Sequence, residues 1–211
     1  MTQRWPLVWL AVIVAPSPAY AHSPLPGIEG FYIGLLHPFS TPAQALLILG
    51  TGLMTGGFGE SVARWLLAAF GLATMAGLFL PDWWPDPDVV VFALAFGVCV
   101  LAALAPGRLL WIVAGLSVLG GLLIGGISVP DPGPPRDRAI TMSGSILGAS
   151  LGLLYLYGIV RWIRERYRWV WVGVALRIAA AWTGAITLVM LALRLAADDP
   201  ELLEASLTTI R

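Results

Sequence analysis

Gly30–Gly52 reads GFYIGLLHPFSTPAQALLILGTG, and how this stretch is solvated decides the fold. It carries no Asp, Glu, Lys or Arg, and it is long enough to cross about 30 Å of hydrocarbon as a helix. It also holds two prolines, Pro38 and Pro42, and a histidine, His37. A buried helix of a soluble domain and a membrane span both tolerate such apolarity, so the rest of the chain must choose between them. Of its 211 residues, 58% are hydrophobic and 11% charged, well short of the roughly 25% charged residues of a soluble domain. So few charges cannot cover a water-facing surface, and lipid has to serve as solvent. The implied fold is all-α: a polytopic membrane helix bundle.

The chain then divides by its apolar runs. Residues 1–21 read as a signal peptide. Arg4 supplies the positive start, PLVWLAVIVA the short apolar core, and Ala19 and Ala21 the small-x-small cleavage pattern. The alternative is an uncleaved anchor that adds a span. Residues 22–195 form a transmembrane domain of six helices, expected at Gly30–Gly56, Val62–Leu80, Val89–Ala105, Leu109–Val129, Thr141–Val160 and Trp169–Leu193. Residues 196–211 are a short tail. The expected breaks, PDWWPDPD, APGR, PDPGPPRDR and RWIRERYR, are rich in proline, which ends helices, and in charge, which leaves lipid.

Arginine distribution sets the expected orientation. Every basic residue is Arg. Arg64, Arg108, Arg161, Arg164, Arg166 and Arg168 fall in alternate connections, whereas ten of the twelve acids fall in the others or in the tail. The positive-inside bias therefore puts both ends of the mature chain outside. Zero net charge suggests no nucleic-acid partner. The lone Cys99 excludes an intrachain disulfide and any cysteine-cluster metal site.

Within the spans, Gly144, Gly148 and Gly152 recur every four residues. That spacing lets helix backbones approach closely where lipid supplies no drive for association. It suits a packed bundle core or a narrow path lined by small residues. Arg177 lies well inside the last span. Either it snorkels back to the inner interface, or it is a buried charge partnering a carboxylate (Glu29 or Glu60) or an anionic ligand.

On a regular helix, His37, Thr41, Gln44, Thr51 and Thr55 form one polar stripe, which should face protein or water. Pro38 and Pro42 remove two backbone donors beside it. Imidazole, amide and hydroxyl groups make a ligand set for a divalent cation, though a poor one for tight transition-metal binding. The bland alternative is that His37 caps a broken helix or bonds to a neighbouring span. Cleavage after Ala21 would expose His22, whose amine and imidazole could chelate copper(II) or nickel(II).

The sequence AHS after the signal, followed by GFYIGLLHPF at the start of the first span, resembles the HupE/UreJ family. That resemblance implies a bacterial inner-membrane protein that is no enzyme: a nickel or cobalt permease, or an accessory protein of hydrogenase or urease. The family motif runs H-P-x-x-G-x-D-H. His37 and Pro38 agree with it, whereas Thr41, Ala43 and Gln44 stand where Gly, Asp and the second His are expected. The later span has none of the family's second histidine motif. Candidate metal residues are therefore His37, Gln44, Thr41 and His22, with Ni, Co or Cu as the ion. The lost motif residues and the many glycine faces support an alternative, a non-transporting subunit docked to a membrane partner. No Ser/His/Asp set and no HExxH motif supports an intramembrane enzyme. With the enclosed orientation, protease added from the cytoplasmic side should cut the Arg161–Arg168 connection, and protease added from outside should leave it intact.

Overall fold

A computed structural model of the chain describes residues 29–80, 86–130 and 132–197. The expected signal peptide, His22 and nearly all of the tail lie outside these residues. The described residues form seven helices and no strand: α1 (Glu29–Ser40), α2 (Pro42–Thr55), α3 (Glu60–Gly77), α4 (Pro87–Leu104), α5 (Leu110–Ile127), α6 (Pro135–Arg166) and α7 (Val170–Ala197). The fold is thus an all-helical bundle. By length and composition, α4, α5, α6 and α7 can each cross a membrane, and α1 with α2 makes a fifth candidate if the bent pair counts as one span. The helix α3 was expected to be a sixth. It falls outside this set, because its first two turns carry Glu60 and Arg64.

The first span is not one straight helix. Thr41 sits at φ −96°, ψ 113° between α1 and α2, and the two halves are bent by 72°. The cause is local. The ring of Pro42 clashes with a helical residue before it and pushes Thr41 into extended backbone, and Pro42 then fits the first position of α2, where no donor is needed. Other boundaries follow equally local rules. Asp86 caps α4 by accepting from the backbone N–H groups of Asp88 (3.0 Å) and Val89 (3.4 Å), with Pro87 at the first position.

The charged halves of the breaks expected around the fifth span, residues 135–138 and 161–166, are helical. α6 runs for 32 residues, from Pro135 to Arg166, which is about 48 Å. Charge ends the lipid-buried part of a helix but not the helix, since Arg has high helix propensity. Arg164 and Arg166 also lie in its last turn, where a cation meets the negative end of the helix dipole.

Helices associate here by close approach of their backbones. Between α1 and α6, a Cβ built on Gly34 would strike the carbonyl of Thr141, one on Gly144 the carbonyl of Phe31, and one on Gly148 the carbonyl of Leu35. Gly152 receives the ring of Phe39. The periodic glycines of α6 therefore seat α1, and the two helices run in the same direction. A second such seam joins α3 to α5, where Gly121 meets the carbonyl of Phe70 and Gly125 that of Thr74. α4 pairs with α7, and Arg194 of α7 bonds to Asp88 of α4 at one end of that pair.

α2 occupies the centre. It packs on α4, α5, α6 and α7, and Ala43, Gln44, Leu47, Ile48, Gly50, Thr51, Gly52, Met54 and Thr55 are all buried. Gly50 faces the sulfur of Cys99, and Gly184 of α7 faces the same cysteine from the other side. Outward-facing residues are apolar and large, including Trp111, Trp182, Val170 and Phe79. Such a surface requires lipid contact rather than water. Gly148→Leu should lower thermal stability in detergent by about 1–3 kcal/mol or more, because its side chain has only backbone to displace. Gly158→Leu, with nothing within 4 Å of its Cβ, should melt close to the parent.

Candidate polar site at the break in the first span

The break gathers the polar groups of α1 and α2 differently from a straight stripe. His37 lies in the last turn of α1 and is half-buried, while Thr41 lies in the break itself. Gln44, Thr51 and Thr55 belong to α2 and are fully buried. Despite the bend, Gln44 still reaches His37, with Nε2 of the amide 3.4 Å from Nε2 of the imidazole. For that contact to be a hydrogen bond, the amide N–H donates to an unprotonated ring nitrogen, which assigns the ring proton to Nδ1. The backbone carbonyl of His37 is also engaged. It accepts from the Ser40 hydroxyl at 3.0 Å and from the Thr41 N–H at 3.2 Å. The last turn of α1 is thus closed by Ser40 and Thr41 on the His37 carbonyl, while the His37 ring meets the next helix.

The amide of Gln44 is satisfied on one side only. Its Oε1 is buried and accepts no hydrogen bond. A buried amide oxygen without a partner costs about 1–3 kcal/mol. The two threonines behave otherwise. Thr51 Oγ1 donates to the Leu47 carbonyl at 2.7 Å, and Thr55 Oγ1 donates to the Thr51 carbonyl at 2.8 Å. Each hydroxyl proton stays within its own helix, leaving oxygen lone pairs as the only free function. The same arrangement recurs on α7, where Thr183 and Thr187 donate to the carbonyls of Ala179 and Thr183. Ser117 of α5 is also fully buried, and its Oγ makes no hydrogen bond. Sequence reading did not single out Ser117, Thr183 or Thr187; a lone hydroxyl in an apolar span carries no periodic signal.

As a metal site the set is sparse. Among the described residues, no three His, Cys, Asp or Glu side chains come together. Ala43 is packed into the apolar core, so a methyl group fills the place where the family motif has a carboxylate. What remains is an amide oxygen, hydroxyl lone pairs and one imidazole. Such donors suit brief contact with a cation more than tight retention.

Arg177 is not the enclosed charge that one sequence reading expected. Its side chain is exposed on the outside of α7, and its Nε donates to the Ala103 carbonyl at 2.6 Å. Ala103 lies in the last turn of α4, whose carbonyls lack helical partners, and a cation there also meets the negative end of the dipole. The guanidinium thus reaches the end of the bundle along the α4–α7 surface, as a snorkelling side chain does.

The family model described as HupE / UreJ protein matches residues 10–84. The match is consistent with a HupE/UreJ family member. It spans α1, α2 and α3, and so includes the His37–Gln44 contact and the break beside it. No curated protein and no solved structure matches the chain significantly. The match and the apolar, outward-facing helices together point to a membrane protein in contact with the bilayer. Replacing Gln44 by Leu removes the unpaired oxygen at the cost of one long contact to His37. It should raise thermal stability in metal-free detergent solution by about 1 kcal/mol.

Proposed function

We propose that this chain is an inner-membrane protein that binds a divalent metal ion, nickel, cobalt or copper, and passes it across the bilayer along α2. The observation that carries the reading is the buried Gln44 Oε1, which has no partner among the described residues and lies beside the His37 imidazole at the break. The stability lost at an unpaired amide oxygen becomes useful if a cation is its transient partner. Thr51 and Thr55 continue the same helix with hydroxyl lone pairs, so the path inward holds oxygen donors and no negative charge to trap the ion. The nickel and cobalt permeases among HupE/UreJ proteins support this choice of cargo. The orientation proposed with it puts both mature ends in the periplasm and the Arg-rich turns in the cytoplasm. We assign no enzymatic activity.

The second reading, an accessory subunit of a metalloenzyme or respiratory complex, draws support from Ala43 and Gln44, which replace the motif's carboxylate and second imidazole. Its other motivation is weaker, because Gly144, Gly148, Gly121 and Gly125 are consumed in seams within the chain. The two readings separate in cellular metal content, measured with and without the gene across nickel, cobalt and copper supplements. Transport predicts a gene-dependent change for at least one metal, abolished by His37→Ala and by Gln44→Leu at equal protein level. An unchanged content for all three metals, together with a stable partner in mild-detergent purification, would select the accessory reading.

A further inference from the structure

Three turns meet at one end of the bundle. Gly57, after α2, lies against Gly107, after α4, and Gly56 packs on Val160 near the end of α6. Gly107 can make this approach because it has no Cβ and adopts φ +71°. The meeting brings Arg64, Arg108 and the four arginines Arg161, Arg164, Arg166 and Arg168 to the same rim. Few acids answer them. Glu165 pairs with Arg161 at 2.6 Å, and among the described residues Arg164, Arg166 and Arg168 form no ion pair. Arg164 Nε makes no hydrogen bond among the described residues, a state it shares with Arg138 Nε at the other end of α6.

The aromatic residues of the same corner define its depth. Trp162, Tyr167, Trp169 and Trp171 follow one another with ring centroids 6.1, 5.9 and 5.6 Å apart. Arg166 stacks over Tyr167 at 5.9 Å, and Arg64 over Trp65 at 5.6 Å. Trp162, Trp169 and Trp171 stay uncovered by protein. Rings of this kind sit where hydrocarbon meets headgroups. Guanidinium forks beside them match phosphate oxygens in geometry and charge.

We propose that the α6–α7 corner, Arg164 to Trp171, is a binding site for the headgroup phosphate of an anionic phospholipid, whose acyl chains lie along the exposed tryptophans. A soluble acidic partner would contact the arginines alone, whereas one phospholipid contacts the arginines through its headgroup and the indole rings through its acyl chains. The inference is independent of metal transport.

The test uses the full chain purified in a neutral detergent. Phosphatidylglycerol should stay bound in excess over its share of the source membrane. Added back to delipidated protein, it should raise the melting temperature by several degrees where phosphatidylcholine does not. The shift should vanish at high salt, which screens exposed charge; that arm needs no variant. R166Q/R168Q should lose the preference, and R136Q/R138Q, altered at the other end of α6, should keep it. Equal shifts with both lipids would overturn the proposal. So would a shift reproduced by inorganic phosphate or an acidic peptide, or an unchanged preference in R166Q/R168Q.

Discussion

The seam between α1 and α6 is the contact on which the arrangement rests. Lipid gives two apolar helices no reason to leave it for each other, so association depends on how closely their backbones can approach. Gly34, Gly144 and Gly148 have no side chains, and each admits a carbonyl of the opposite helix. With α1 held in this way, the steric demand of Pro42 on Thr41 has a fixed frame to act in. The 72° bend then carries α2 into the middle of the bundle, where Gly52 of α2 and Gly56 just after it face Leu156 and Val160 of α6. A straight first span seated on the same seam would continue along α6 and leave the centre to be filled by other residues.

The central position explains how α2 treats its polar groups. Thr51 and Thr55 neutralise their hydroxyl protons on their own helix, as they must where no water reaches. Gln44 is too long to do the same, and it spans the bend to His37 with one end of its amide only. The site is therefore a by-product of the fold's geometry in its position, but not in its chemistry.

Much of this was legible in the residues, and the misses have physical causes. Charge scarcity gave the helical membrane class, and the spacing of Gly144, Gly148 and Gly152 gave a close-packing face. What it packs against was not legible, because the partner surface on α1 consists mainly of backbone carbonyls, which every residue owns. Thr41–Pro42 announced a break, yet a regular-helix stripe was drawn through it; bend angle and direction depend on tertiary seating rather than on the dipeptide. Arg177 was placed by depth alone, and depth does not show that the adjacent helix ends within reach of its side chain. The ends of α6 were drawn where hydropathy falls, although the backbone has no reason to stop there. α3 shows the reverse case, where Glu60 and Arg64 weaken an apolar helix that packs as the others do.

Cys99 carries a practical consequence of the tight centre. It is the sole cysteine of the chain, it has no solvent exposure, and Gly50 and Gly184 enclose it from two sides. Water-borne thiol reagents meet no native target while the bundle is folded. Cysteines introduced one at a time can then be labelled against a silent background without altering the wild-type core. Labelling at position 99 itself becomes a clean signal that the helices have come apart.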